Sequence, residues 1–481
     1  MINVYAKNST YIKVIADEEG VEQELSDFFS FDSEGAKFSK AFRKGHWDGK
    51  VRLYTKGACT LYKGLINYVQ AFADQRGYPI TIHDGLNEYD DIDEDKYKKF
   101  INSFALTPRY FQEEVFRKVL TDKRGLFISP TGSGKSFTIY MIMKWFRTKK
   151  KLIVVPTTSL VKQMETDFID YGHTRKIHKI AAGVSKESNC DITVSTWQSI
   201  YKQPKEWFKQ FDLIIGDEAH LFSAQSLKSI LSAMEGCEYK IGLTGTIHET
   251  RAHRLVLEGL FGALKRVATT KQLMDEKILA DLKIQAILLE YEPHIKDRML
   301  NAKYKDEIDF LIGCKERNNF IKNLTLASKG TTLVLYNYVE AHGQILYDLI
   351  SASTDRKVHF IHGLIEAEDR EIIRKQMEES DDDIAIASSG TYSAGINIKS
   401  LKYLISTSPS KSRIRVLQSL GRLVRRVDDD PHVTLYDIGD NLHIKLHKPN
   451  HTLRHFAKRI QMFRAENFNF KIHKVRIKID G

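Results

Sequence analysis

Residues 129–136, with the sequence SPTGSGKS, form a pattern that could bind phosphate groups. The pattern follows a short apolar run typical of a buried strand and precedes a run typical of a helix, which is the context that a phosphate-binding loop requires. Glycines let backbone N–H groups turn towards phosphate oxygens, and the start of the helix adds partial positive charge. The alternative is a glycine-rich turn with an ordinary surface lysine. The residues expected to contact a nucleotide are Thr131, Gly132, Ser133, Gly134, Lys135 and Ser136.

Two acidic residues, Asp217 and Glu218, follow a second strand-like run, FDLIIG at 211–216. Ligands of parallel sheets bind at the carboxyl ends of strands. In such a site Lys135 would reach the β- and γ-phosphates, and Ser136 and Asp217 would bind Mg²⁺. Glu218 would orient and deprotonate the attacking water. A solvated acidic turn is the alternative, but the two patterns together predict ATP hydrolysis with Mg²⁺.

The composition is that of an ordinary globular protein. The chain has 481 residues, a formal net charge of +11 and 42% hydrophobic residues, which predicts about three domains. It contains no apolar run long enough for a transmembrane helix, and its first residues, MINVYAKNST, lack the pattern of a signal peptide. The cysteines at positions 59, 190, 237 and 314 show neither zinc nor disulfide spacing. We therefore expect a cytoplasmic protein with free thiols and no membrane association.

Positive charge is concentrated in two stretches. Residues 37–63 carry eight Lys or Arg and one acid, and residues 443–481 carry ten Lys or Arg and two acids. Localised basic charge favours contact with phosphate backbones. In the first stretch aromatic and basic side chains alternate, as in nucleic-acid surfaces, although a small core with a solvated basic face is an equal alternative. The candidate contacts are Lys44, Trp47, Lys50 and Arg52.

The apolar pattern divides the chain into four parts. Residues 1–100 indicate a small α+β domain, which we expect to be separable from the rest. Residues 101–285 and 286–445 each alternate strand-like and helical segments, which predicts parallel sheets covered by helices on both faces. Residues 446–481 indicate a basic amphipathic helix followed by a strand. The expected fold is α/β, with two tandem parallel-sheet lobes, the small N-terminal domain and a short basic C-terminal extension.

Further arginines and threonines could contact phosphates. Arg422 and Arg425 lie three residues apart on an expected helix, so they share a face and could stabilise a transferring phosphoryl group. A basic surface patch is the alternative reading of these arginines. Hydroxyl side chains at strand ends can hold a nucleic-acid backbone without reading bases, although single threonines there are more often helix N-caps. These threonines are Thr157, Thr158, Thr196, Thr244 and Thr246.

The patterns together resemble superfamily 2 helicases over residues 105–445. The resemblance rests on an ordered series of strings, PRYFQ, SPTGSGKS, VVPTTSLVKQM, VSTWQS, DEAH, LTGT, SSGTYSAGINI and QSLGRLVRR. It implies two RecA-like lobes separated by a cleft, with arginine fingers in the last string. The residues that it implies in nucleotide contact or catalysis are Tyr110, Gln112, Gly395, Asn397, Gln418, Arg422 and Arg425.

Within that superfamily the chain resembles the UvsW-type branch-migrating DNA helicases of phages. The strings FRKGHWDGKVRL and QPKEWF and the basic tail carry this resemblance. It implies an ATP-dependent enzyme that acts on single-stranded, forked and four-way DNA in recombination, repair or replication restart. We expect a monomer, in the host cytoplasm if the gene is a phage gene. Trp197 and His362, both at expected strand ends, join the candidate nucleic-acid contacts.

Three other functions are less well supported. DEAD-box RNA helicases usually carry SAT and HRIGR where this chain has LTGT and SLGRLVR. A binding protein without motor activity would need a broken ATP site, yet Lys135, Asp217, Glu218 and Arg425 are all present. A translocating restriction subunit would bring nuclease acids, which form no recognisable pattern here.

Overall fold

The computed structural model describes all residues except 34, 84, 87–89, 181–183, 188, 223, 247–249, 280, 394–397, 399, 409–431 and 480–481. The chain divides into two compact units, Met1–Pro130 with Gly134–Ala268, and Thr269–Gly481 with Thr131–Ser133. The first unit contains an N-terminal module, residues 1–101, and the first lobe, and the second unit contains the second lobe. Every helix among the described residues is too short or too polar to cross a bilayer.

The N-terminal module contains short strands and helices. Its elements are β1 (Ile2–Ala6), β2 (Tyr11–Ala16), α1 (Glu19–Phe28), β3 (Ser30–Asp32), α2 (Lys40–Arg43), β4 (Lys50–Arg52), β5 (Thr60–Tyr62), α3 (Ile66–Arg76), β6 (Ile80–Ile82) and α4 (Glu94–Ile101). One sheet has the strand order β5-β2-β1-β6, in which β1 and β6 are parallel and the other pairs antiparallel. β3 and β4 form a separate antiparallel pair. Residues on β2 alternate between buried and exposed, because one face of this sheet is covered.

The first lobe is built on a seven-stranded parallel sheet. Its elements are α5 (Tyr110–Asp122), β7 (Arg124–Ile128), α6 (Lys135–Trp145), β8 (Lys151–Val155), α7 (Thr158–Asp170), β9 (His178–Ile180), β10 (Ile192–Thr196), α8 (Trp197–Ile200), α9 (Lys205–Phe208), β11 (Leu213–Asp217), α10 (Ala224–Ala233), β12 (Tyr239–Thr244), α11 (Arg251–Phe261) and β13 (Leu264–Arg266). The strand order is β13-β7-β12-β11-β8-β10-β9. Every residue of β8, β10, β11 and β12 is buried, which explains the high proportion of apolar residues in these strands.

The second lobe contains another seven-stranded parallel sheet. Its elements are α12 (Thr270–Asp275), β14 (Asp281–Glu290), α13 (Pro293–Arg298), α14 (Tyr304–Gly313), α15 (Lys315–Ala327), β15 (Thr332–Tyr336), α16 (Gln344–Ser351), β16 (Val358–Ile361), α17 (Ala367–Glu379), β17 (Ile384–Ser388), α18 (Ser389–Ser393), β18 (Tyr403–Ser406), β19 (His432–Asn441), α20 (His451–Ala465) and β20 (Phe470–Arg476). The strand order is β16-β17-β15-β18-β19-β14-β20. The predicted α/β fold, with two parallel-sheet lobes and a small N-terminal domain, is therefore confirmed.

The ends of the second lobe differ from the expected divisions. The expected division between residues 285 and 286 falls inside β14, which pairs with β19 along its whole length. The expected extension, 446–481, supplies β20, an edge strand of the same sheet beside β14. The basic tail is thus part of the second lobe, because its strand completes the ladder of that sheet.

The N-terminal module and the first lobe share one hydrophobic core. Buried apolar residues from β1, β2, α1 and α3 form a single cluster with others from β7, α10 and α11. The Thr10 hydroxyl accepts a hydrogen bond from the buried ammonium group of Lys240 and donates one to the Leu231 carbonyl. Burial lowers the pKa of Lys240 to about 7. These contacts argue against a separable domain, because removing the module would expose both the core and Lys240.

The N-terminal module also packs very closely against α11. A Cβ atom on Gly64 would lie 2.0 Å from the carbonyl oxygen of Glu258, and one on Gly259 would lie 2.8 Å from the Cβ of Tyr62. Tyr68 donates a hydrogen bond of 2.9 Å to the buried carboxylate of Glu258. Glycine is required at positions 64 and 259 because a side chain would collide with the Glu258 carbonyl at the first position and with the Tyr62 side chain at the second.

We expect Gly64→Ala to destabilise the first unit by about 1–3 kcal/mol, because the added methyl group forces the module away from α11. Thermal unfolding followed by circular dichroism will show a lower midpoint. Gly20→Ala is the matched control, since a Cβ at Gly20 meets nothing within 4 Å. Equal midpoints for the two variants would contradict the close packing described above.

Candidate active site

Three neighbouring strands of the first lobe bring the phosphate-binding loop and the acid pair together. β12 lies between β7 and β11 in the sheet, and all three run parallel. The loop follows β7, and Asp217 is the last residue of β11. Ser129 donates its backbone N–H to the Thr244 carbonyl at 2.9 Å, which ties the start of the loop to the end of β12. The loop and the acid pair therefore meet at the carboxyl edge of this sheet, where ligands of parallel sheets bind.

Lys135, at the start of α6, forms a salt bridge with Glu218 of the acid pair. Its ammonium group lies 3.1 Å from Oε1 of Glu218 and 3.4 Å from the Ser129 carbonyl oxygen. The preceding residue, Gly134, has a φ of +81°, a conformation that favours glycine. Gln112 donates a hydrogen bond of 3.3 Å from its amide to the Gly134 carbonyl. The buried Gln112 thus supports the loop, whereas Tyr110 is half exposed.

Glu218 is held in an unusual backbone conformation that directs its carboxylate into the site. Its φ is +49°, in the left-handed region, at the point where the chain leaves β11. Oε2 accepts a hydrogen bond of 3.3 Å from the backbone N–H of Gly245. Burial opposes ionisation, but the charges of Lys135 and His220 and the hydrogen bonds from Lys135 and Gly245 together lower the pKa of Glu218 below its usual range. This environment favours the ionised carboxylate, the form that a general base requires.

Asp217 offers an oxygen without a partner. The side chain is buried, and its Oδ1 atom has no hydrogen-bond partner among the described residues. Burial, and then the neighbouring charge of Glu218, raise the pKa of Asp217 above its usual range. An unpartnered buried carboxylate oxygen is costly by itself and is the kind of ligand that Mg²⁺ prefers. Asp217 therefore fits a magnesium site.

Three buried side chains connect the acid pair to the end of β12. Nδ1 of His220 lies 3.4 Å from Oε2 of Glu218 and 2.5 Å from the Thr244 hydroxyl. Nε2 of His220 lies 3.4 Å from the Thr246 hydroxyl. Thr244 and Thr246 were expected to hold a nucleic-acid backbone, but both are buried in this network. Their hydroxyls bond to protein groups, since the Thr244 hydroxyl also donates to the Thr246 carbonyl.

The other residues that were predicted to contact nucleic acid at strand ends differ in how exposed they are. Thr157 caps α7 by accepting a hydrogen bond from the Leu160 N–H at 3.4 Å, and Thr158 is exposed beside it. Thr196 is buried and bonds to Ser199. Trp197 packs partly against the core of the first unit. Thr158 is thus the most accessible of the predicted threonines.

The basic stretch of the N-terminal module is partly a surface and partly a core. Lys44 and Lys50 are exposed, and the half-buried Trp47 donates its indole N–H to the Lys50 carbonyl at 2.9 Å. Phe38 is 85% exposed, which is rare for a large aromatic side chain. The predicted contact Arg52 instead pairs with Asp48, a surface ion pair that offsets its charge.

The remaining predicted residues are His362, which the structure describes, and a set that lies outside the described residues. His362 follows β16 and is partly buried, with an Nδ1 atom that lacks a partner among the described residues. The residues outside the described part of the chain are Gly395, Asn397, Gln418, Arg422 and Arg425.

Two contacts at the site could not be predicted from the sequence. The backbone N–H of Gly245 bonds to Glu218, and the hydroxyl of Tyr171 lies 2.9 Å from the Ser136 hydroxyl. Both contacts join segments distant in sequence, so only the fold reveals them.

Comparison with known proteins gives consistent results along the chain. Family profiles match a UvsW N-terminal DNA helicase domain at residues 1–83, the res subunit of type III restriction enzymes at 105–249 and a helicase conserved C-terminal domain at 316–427. The ATP-dependent DNA helicase uvsW of Enterobacteria phage T4 is 31% identical over 505 aligned residues, covering 99% of this chain and all of the relative.

Two further matches extend the comparison. The crystal structure of T4 UvsW superposes with a TM-score of 0.53 at 30% identity, covering 99% of both chains. A DNA 3'-5' translocase, XPB2 of Sulfurisphaera tokodaii, is 28% identical over 228 residues, covering 46% of this chain and 50% of the relative.

We expect Glu218→Gln to bind ATP with nearly unchanged affinity but to lose at least about 100-fold in kcat, because the change removes the base and keeps the shape. Nucleotide titration and steady-state hydrolysis measure the two effects separately. Lys135→Ala serves for comparison and should abolish hydrolysis while the protein still folds. If Glu218→Gln loses ATP binding as strongly as hydrolysis, then Glu218 has a structural role instead.

Proposed function

The chain belongs to the UvsW family of superfamily 2, the ATP-dependent DNA helicases, and we propose that it unwinds or branch-migrates forked and four-way DNA. ATP hydrolysis is supported mainly by one observation, the group that Lys135, Asp217 and Glu218 form at one edge of the sheet. We further propose roles in recombination, repair or replication restart, in the host cytoplasm and as a monomer.

In the proposed reaction, Lys135 binds the β- and γ-phosphates, and Ser136 and Asp217 hold Mg²⁺. Bound Mg²⁺ would neutralise charge on the phosphates. Glu218, ionised and fixed by Gly245, accepts a proton from the attacking water. The buried pair of His220 with Thr244 keeps the Glu218 carboxylate in place on its other side.

The remaining nucleotide contacts are proposed from the sequence. Tyr110 and Gln112 would contact the adenine, and Gln112 already bonds to the phosphate-binding loop. Arg422 and Arg425 would stabilise negative charge on the transferring phosphoryl group. The residues with supporting roles in the same motifs are Gly395, Asn397 and Gln418.

Two basic surfaces support an action on branched DNA. The first is the exposed part of the N-terminal module, where Lys44 and Lys50 adjoin a stretch that also exposes Phe38. Aromatic side chains can stack on unpaired bases, and lysines can bind phosphates. A surface that contains both therefore suits DNA at a branch point. Because the module shares a core with the first lobe, force generated there would act on DNA bound to the module.

The second surface lies on α20 and β20. Glu307 accepts hydrogen bonds from the backbone N–H groups of His451 and Thr452, and Arg459 is buried against Asp437. These bonds fix the helix, so the outward cations have a rigid support. The exposed cations of this surface are Lys445, Lys448, Arg454, Lys458, Arg464, Lys471, Lys474, Arg476 and Lys478.

The proposed substrate is tested by measuring ATP hydrolysis and unwinding with equal concentrations of single-stranded, duplex, forked and four-way DNA, and with single-stranded RNA. We expect forked and four-way DNA to give the highest rates and the tightest binding, with a steep dependence on salt. Equal activity on RNA, or no preference for branched over single-stranded DNA, would contradict the proposal.

We expect the double change Lys44→Gln and Lys50→Gln to weaken junction binding and to lower the slope of log Kobs against log salt concentration by about 2. ATP hydrolysis stimulated by single-stranded DNA should change much less. Lys98→Gln with Lys99→Gln is the matched control, because it removes equal charge from exposed positions on α4. If both pairs have the same effect, the basic stretch of the module is only a solvated face.

A further inference from the structure

The hydroxyl of Ser136, the magnesium ligand of the proposed function, already has a protein partner. Its Oγ atom lies 2.9 Å from the phenol oxygen of Tyr171. Ser136 is the second residue of α6, and Tyr171 directly follows the last residue of α7. We propose that Tyr171 is a positioning residue for the magnesium site, holding the Ser136 hydroxyl in the orientation that binds the cation. This inference rests on the proposed use of Mg²⁺ with ATP.

The position of Tyr171 is set independently of Ser136. Its backbone N–H donates to the Asp167 carbonyl at 3.0 Å, and Gly172 follows with a φ of +90°, which ends α7. The ring packs edge-on against Phe137, at 5.0 Å between centroids, and lies 5.6 Å from the ring of Tyr140. The phenol is therefore a fixed group, and the more adaptable Ser136 side chain adjusts to it.

The chemistry of a hydroxyl ligand explains why such a partner is useful. Ser136 has one proton and two lone pairs, and a cation requires a lone pair. If the Ser136 proton is donated to the phenol oxygen, a lone pair remains free to face the metal. A cation bound to Oγ makes the serine proton a stronger donor, so metal binding and the bond to Tyr171 reinforce each other.

Tyr171→Phe tests the proposal because it deletes the phenol oxygen and keeps the ring between Phe137 and Tyr140. Mn²⁺, which electron paramagnetic resonance detects, would be titrated into the protein with a non-hydrolysable ATP analogue. We expect roughly tenfold weaker Mn²⁺ binding. In steady-state hydrolysis, the half-saturating Mg²⁺ concentration should rise by a similar factor, with kcat at saturating Mg²⁺ changed less than about twofold.

Two controls separate positioning from packing. Tyr140→Phe removes a hydroxyl from the same ring cluster that is not bonded to Ser136, and it should leave Mn²⁺ binding unchanged. The double variant Ser136→Ala with Tyr171→Phe should bind Mn²⁺ no more weakly than Ser136→Ala alone, because Tyr171 acts through Ser136. Independent, additive losses would show that Tyr171 affects the site only through the fold.

The outcomes distinguish this inference from the function on which it rests. If the wild-type protein binds Mn²⁺ with the ATP analogue and Tyr171→Phe binds it equally well or more tightly, the positioning role is overturned and the proposed ATP site stands. If the wild-type protein shows no nucleotide-dependent Mn²⁺ binding, both are overturned. A loss that is specific to Tyr171→Phe and absent from Tyr140→Phe supports the proposal.

Discussion

The salt bridge between Lys135 and Glu218 is the interaction around which the site of the first lobe is arranged. It exists only because β7 and β11 end at the same edge of the sheet, separated by β12. The positive charge of Lys135 helps to lower the pKa of Glu218 despite burial, while burial and the charge of Glu218 raise the pKa of Asp217. A phosphate that binds Lys135 competes with Glu218, so nucleotide binding would release the carboxylate towards water.

The sequence predicted the parts of this site that depend on neighbouring residues. The glycine-rich loop, the acid pair and the buried strands before them are local patterns, and the structure places them where the patterns indicate. The threonines of LTGT show a limit of such patterns, because hydroxyls at a strand end can face solvent or protein with the same sequence. Thr244 and Thr246 face His220, a contact set by the pairing of β11 with β12.

Charge patterns were similarly incomplete as guides to the N-terminal module. The alternation of aromatic and basic residues in 37–63 combines two different environments, since Tyr54 and Tyr62 are core residues whereas Phe38 is exposed. The expected independence of the module stays a prediction, and the shared core argues against it. Lys240 and Glu258 have ordinary sequence surroundings, and only their burial against the module shows how tightly the first unit is joined. Long-range burial is decided by topology, which single-sequence patterns do not contain.

The position of β20 has a consequence for how the protein is made. β20 is synthesised after all the other strands of its sheet, yet it pairs along seven residues with β14, the first strand of the second lobe. Until β20 has been made, β14 has an open edge, and a parallel sheet with an open edge is prone to pair with other chains. Products that terminate before β20 would keep that edge, so aggregation of such shortened chains is a built-in hazard of a sheet whose border strand follows the strands that it covers.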